Sequence, residues 1–155
     1  MLELAIVIGS LVRPLWAPAN DGSGNARHGS SQRILIVEDE YFVSLAIEEA
    51  VESAGYEVVG VATEAGQAVK MGAESRPDLI LMDIRLARGS DGIQAAITLY
   101  QKHNLRCIFV TAHTDQGLRD RASEAHPLGW VAKSFAPSVL VEAIRVALLD
   151  EKEND

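Results

Sequence analysis

Short apolar runs alternate with longer half-apolar ones along most of this chain, beginning at Arg33. "RILIV" (33–37) is an apolar, β-rich run that reads as a buried strand. The next stretch, 40–55, spaces Phe42, Leu45, Ala46, Val51 and Ala54 near the helical period, and Gly55 supplies its stop. "YEVVGVA" (56–62) is a second strand, and 64–74 a second helix weakened by Gly66 and Gly72. Pro77 introduces the third strand, "DLILMD" (78–83), after which Asp91 can cap a helix reaching about His103. "RCIFVT" (106–111) is the fourth strand, 115–125 a polar helix and "GWVAK" (129–133) a short fifth strand. Pro137 suits the first position of a last helix that runs to about Leu149.

Five strands alternating with five helices predict an α/β domain: a doubly wound parallel sheet with helices on both faces. In such sheets ligands bind beyond the carboxyl ends of the strands. The residues at those ends are Glu38 and Asp39, Asp83, Thr111 and Lys133, drawn from distant parts of the chain. An isolated acid, threonine or lysine there would be unremarked loop chemistry; five converging on one rim are a site. Two carboxylates ~4 Å apart repel by about 4 kcal/mol at an effective dielectric of 20, and a hard divalent cation relieves that cost. Glu38, Asp39 and Asp83 therefore form a candidate Mg²⁺ site, with Asp39 and Asp83 as the direct ligands and Glu38 acting through water. Carboxylates also serve as nucleophiles that form an aspartyl-phosphate. Asp83 is the candidate nucleophile; Lys133 would neutralise phosphoryl oxygens and the Thr111 hydroxyl would hydrogen-bond one of them. Glu40 is assigned instead to the start of the first helix, where an acid suits the dipole.

Charge and composition narrow the field. The net charge of −8 argues against a nucleic-acid surface and is compatible with divalent cations or basic protein partners. Cys107, the only cysteine, excludes an intrachain disulfide and reads as a core residue. The histidines at 28, 103, 113 and 126 lack metal-ligand spacing. The first 32 residues join an apolar start to the polar "NDGSGNARHGSSQ" and are expected to form a flexible leader. A signal peptide would want a positive start, and a membrane span needs ~20 apolar residues, which Arg13 and Pro14 interrupt. No membrane role is expected, and the protein is expected in the cytoplasm. Residues 33–149 form the predicted domain, and 150–155, "DEKEND", an acidic tail.

The ordered set resembles the receiver domain of two-component response regulators. The resemblance covers 33 to about 149 and rests on "ILIVEDE" (34–40), "PDLILMDIRL" (77–86), "DG" (91–92), "FVTA" (109–112) and Lys133. Spacings of 44, 28 and 22 residues separate Asp39, Asp83, Thr111 and Lys133. It implies a flavodoxin-like fold and an Asp83 that takes phosphate from a phosphohistidine on a histidine kinase or phosphotransfer protein. It implies Mg²⁺ held by Glu38, Asp39, Asp83 and the backbone carbonyl of Arg85, and slow self-dephosphorylation. Thr111 and Trp130, the aromatic on the fifth strand, would form the switch. Such a domain is a phospho-acceptor rather than an enzyme in the ordinary sense. With no output domain visible after Leu149, it is expected to be a stand-alone receiver that signals to a downstream protein by contact, or a phosphate sink. The apolar stripe of "SVLVEAIRVALL" suits homodimerisation through the last helix. Two rivals remain: a Mg²⁺-dependent aspartyl-phosphate phosphatase, against which Arg85 stands where a second acid is wanted, and a degenerate receiver used only for docking.

Four positions depart from the family pattern. Ser134 replaces the proline after the lysine, so that bond is either trans with an altered loop or a strained cis bond. Trp130 is bulkier than the usual Tyr or Phe. Ala87 replaces a proline, which is expected to loosen the loop after Asp83. Arg85 faces the site in the family and is expected to pair with Glu38 or Asp39 at rest.

Overall fold

A computed structural model describes residues 5–8, 11–14 and 30–153, with side chains from 30 to 150. The chain divides into two units, Met1–Ser30 and Ser31–Asp155. In the first, β1 (Ala5–Ile8) pairs antiparallel with β2 (Leu11–Pro14). The leader thus contains a paired two-strand ladder that its composition did not suggest, while most of its polar stretch, 20–29, lies outside the described residues.

The second unit carries the predicted alternation. Its strands are β3 (Arg33–Val37), β4 (Glu57–Ala62), β5 (Leu79–Met82), β6 (Cys107–Thr111) and β7 (Gly129–Ala132). Its helices are α1 (Tyr41–Ser53), α2 (Ala65–Ser75), α3 (Gly92–His103), α4 (Gln116–Ala122) and α5 (Pro137–Glu153). The strands form one parallel sheet in the order β4-β3-β5-β6-β7. Strand pleating sends successive side chains to opposite faces. Leu35, Val37, Ile80, Met82, Cys107 and Phe109 therefore pack under α2, α3 and the end of α4. Ile34, Ile36, Leu79, Leu81, Ile108 and Val110 pack under α1 and α5. Double-sided burial is why the strands read as unbroken apolar runs.

Three local expectations change. Gly72, read as a weakness of α2, is buried where a Cβ would come within 2.5 Å of a Leu99 methyl, so it is what lets α2 and α3 approach. The last helix runs to Glu153, so the acidic tail begins inside α5 rather than after it, and 154–155 lie outside the described residues. The polar fourth helix is shorter than 115–125: α4 proper ends at Ala122 and a 3₁₀ turn, Ser123–Ala125, completes it. Cys107 is buried as expected, and burial pushes its thiol up to about 12. Among the described residues no helix is long and apolar enough to cross a membrane.

Candidate functional site

The sheet's hydrogen bonds run one residue beyond its strands, and those extra residues carry the chemistry. Glu38 N–H donates to Ala62 O (2.9 Å), Asp83 N–H to Val37 O (2.9 Å) and Lys133 N–H to Thr111 O (3.1 Å). Backbone pairing thereby fixes the exit direction of each side chain. Glu38, Asp39, Asp83, Thr111 and Lys133 meet at one rim, as the strand ends predicted. Asp39, Glu40, Asp83, Arg85, Ala112, His113 and Lys133 line a cleft of about 310 Å³ there.

Asp83 is buried, and one of its oxygens, Oδ1, accepts the Ile84 N–H at 2.7 Å. The other, Oδ2, lies 2.7 Å from Lys133 Nζ. Behind it the backbone is jammed. A Cβ at Gly92 would lie 1.8 Å from the Asp83 carbonyl oxygen, and the Gly92 N–H donates to Ile84 O at 2.8 Å. Only glycine permits α3 to start this close to the acidic residue. The "DG" pair thus has two tasks: Asp91 Oδ1 caps α3 through the Ile93 N–H (2.9 Å), and Gly92 seats the helix.

Lys133 is shared by three carboxylates. Its Nζ lies 2.7 Å from Asp83, 2.9 Å from Glu38 Oε2 and 3.0 Å from Glu40 Oε1. Burial alone would lower its pKa, but the bonds to Asp83, Glu38 and Glu40 outweigh that and raise it. Burial raises the Glu38 pKa, with the Asp83 charge adding to it against the Glu40 N–H and Lys133. Glu38 Oε1 accepts the Glu40 N–H at 2.9 Å. Glu38 Oε2 is buried and accepts no well-aligned hydrogen bond, despite its 2.9 Å approach to Lys133 Nζ.

That oxygen has acceptor capacity left for a cation. Glu38, Asp39 and Asp83 each offer an oxygen within 4.8 Å of the others, Asp39 from an exposed position. An all-carboxylate donor set of this kind fits a hard divalent ion such as Mg²⁺.

The other expected residues fall as follows. Thr111 is fully buried behind the cleft, and its hydroxyl accepts the His113 N–H at 3.2 Å. Trp130 is half-buried on β7, stacked on Phe109 (centroids 4.7 Å apart). The Arg119 guanidinium lies 4.6 Å from the Trp130 ring centroid, a cation–π contact. Arg85 is exposed at the cleft edge. Among the described residues it pairs with neither Glu38 nor Asp39; Glu38 is held by Lys133 instead. No cis bond occurs among the described residues, so Lys133–Ser134 is trans. Ala87 does not free its loop: its N–H, which a proline would lack, donates to Thr63 O at 3.1 Å.

Glu40 departs most from expectation. It is the N-cap residue of α1, yet its side chain makes no capping bond and reaches Lys133 instead. Sequence reasoning also missed Arg119 and Arg121, which pairs with Asp91. Nothing in the polar pattern of α4 distinguishes a tethering arginine from a solvated one.

The sequence profile of the response regulator receiver domain matches residues 34–145. The chain belongs to that family. It is similar to the transcriptional regulatory protein PdtaR of Mycobacterium tuberculosis, 34% identical over 76% of this chain and 57% of that protein. It is also similar to the phyllosphere-induced regulator PhyR of Methylorubrum extorquens, 40% identical over 74% of this chain and 43% of that protein. The chain thus spans about half the length of these curated relatives. Among solved structures, the signal receiver domain of a modulated diguanylate cyclase from Desulfovibrio desulfuricans G20 matches with a TM-score of 0.76. It is 33% identical and covers 81% of this chain and all of that one, 100%. The fold is therefore the flavodoxin-like receiver fold, and the family's business is two-component signalling.

Proposed function

We propose that Asp83 accepts a phosphoryl group from a phosphohistidine on a histidine kinase or phosphotransfer protein in the cytoplasm. What carries this is the buried Asp83 held 2.7 Å from Lys133 beside two further carboxylates. Asp83 Oδ attacks phosphorus; the new P–O bond forms as the donor's P–N bond breaks, and the electron pair returns to the donor imidazole. Glu38, Asp39, Asp83 and the Arg85 carbonyl would hold Mg²⁺, which when bound neutralises charge on the transferring phosphoryl group. Lys133 keeps the acceptor oxygen oriented and then pairs with a phosphoryl oxygen. The Thr111 hydroxyl leaves the His113 N–H to donate to another. Trp130 and α4 respond to that movement, presenting the change to a downstream protein. Val139, Val146 and Leu149, exposed on α5, offer the surface for a second copy. Arg85, two residues beyond Asp83, cannot serve as the general acid a phosphatase would need.

Incubation with Mg²⁺ and acetyl phosphate, read by intact mass, tests this. Wild type gains one phosphoryl group and Asp83→Asn gains none; no gain in wild type from any phosphodonor overturns it.

A further inference from the structure

Glu40 is the one acid of the cleft with no place in that scheme. It stands at the start of α1, where a side-chain oxygen ordinarily accepts a backbone N–H of the first turn. It makes no such bond. Its own N–H is taken by Glu38 Oε1, and its carbonyl accepts the Ser44 N–H as the first turn of the helix begins. The carboxylate, 64% exposed, instead bonds Lys133 Nζ at 3.0 Å. An ammonium has three donors. Lys133 Nζ donates to Glu38 Oε1 (3.2 Å) and Glu40 Oε1 (3.0 Å) and ion-pairs with Asp83 Oδ2 (2.7 Å), so Lys133, whose side chain is only 15% exposed, is engaged by all three carboxylates at rest.

From this geometry we infer that Glu40 is a positioning residue that restrains Lys133 and slows phosphoryl uptake. This rests on Asp83 being the acceptor. To pair with an incoming phosphoryl oxygen, Lys133 must release a carboxylate. Asp83 carries the new group, and Glu38 is buried where water does not replace a lost partner. Glu40 is the exposed contact and the one that water can replace. It also adds a fourth negative carboxylate to a cleft that an anionic donor must enter. Removing it frees one Lys133 donor without touching Glu38, Asp39 or Asp83.

The experiment compares Glu40→Gln with wild type and with Glu49→Gln, the same charge change elsewhere on α1. Glu40→Gln is expected to take phosphate from acetyl phosphate about threefold to fivefold faster, the scale of one exposed ion pair. The gain should shrink in 0.5 M salt, because an exposed ion pair is screened, and should exceed that of Glu49→Gln at low salt, because it arises from a contact as well as from charge. In the metal-free protein, labelling of Lys133 by an amine-reactive ester, followed by peptide mass, should also rise. Equal rates in Glu40→Gln and wild type, equal gains in Glu40→Gln and Glu49→Gln, or unchanged Lys133 labelling would each overturn the assignment. So would a marked loss of Mg²⁺ affinity, which would place Glu40 with the metal ligands. Failure of wild type itself to take up phosphate sinks the acceptor role and this one together. Uptake by wild type with no change in the variant sinks this one alone.

Discussion

Two of the helices that follow site residues along the chain, α3 and α4, are built differently. α3 follows Asp83 and α4 follows Thr111; each begins with an aspartate whose side chain caps it, Asp91 through the Ile93 N–H and Asp115 through the Leu118 N–H. There the likeness ends. α3 buries Gly92, Ile93, Ala95, Ala96 and Leu99, and its first residue presses on the Asp83 carbonyl. α4 has seven residues, of which Ala122 alone is buried. What holds it beyond Leu118 and Ala122 is a pair of arginines, Arg119 on the Trp130 ring and Arg121 on Asp91. Close packing is stiff to small displacements, whereas solvated ion pairs yield readily. The proposed acceptor is thus backed by the rigid helix, and the hydroxyl proposed to move, itself buried at the end of β6, precedes the loose one.

The largest test of this contrast is Gly92→Ala. The added methyl has no free space, so α3 must shift or Asp83 must move. We expect a loss of about 3 kcal/mol in urea unfolding, at the upper end for overpacking. A loss below about 1 kcal/mol would show that α3 slides as readily as α4 and would erase the distinction. Next is Arg119→Ala, expected to cost about 0.5–1 kcal/mol, the worth of an exposed cation–π contact. Made in a Trp16→Phe background, so that Trp130 alone reports, it should also shift the indole emission. Unchanged emission would mean the guanidinium does not rest on the ring in solution.

The same contrast marks what the sequence could reveal. Apolar runs marked the five strands of the sheet domain, because two-sided burial leaves them unbroken; helical spacing marked α1, and Asp91 and Pro137 marked the starts of α3 and α5. The rim was legible for a related reason: strand ends are countable, and Asp83, Thr111 and Lys133 each close one. Interactions among the polar groups were not legible. Whether Glu40 turns to its own helix or to Lys133 depends on where a residue 93 positions away lands. Arg85 was expected to pair with Glu38 or Asp39, but it pairs with neither, and Glu38 goes to Lys133. Ala87 looked like a loosened loop until its N–H found Thr63. In each case the residue type permits several partners, and tertiary geometry picks one.

The smallest effect separates the two helices most finely. Arg121 pairs with Asp91 Oδ2, while Oδ1 of the same carboxylate caps α3. Arg121→Gln removes only the first of these bonds. Both side chains are over a third exposed, so the stability cost should be about 0.2–1 kcal/mol and should shrink as salt is added. Hydrogen exchange is the sharper measure. Amides of α4 should exchange faster in the variant, because the tether to the loop beside Asp83 is gone. Those of α3 should not, because Asp91 still accepts the Ile93 N–H and Gly92 stays wedged against Asp83. If α3 loosened equally, the arginine would be supporting the cap rather than restraining α4, and the rigid helix would depend on the loose one.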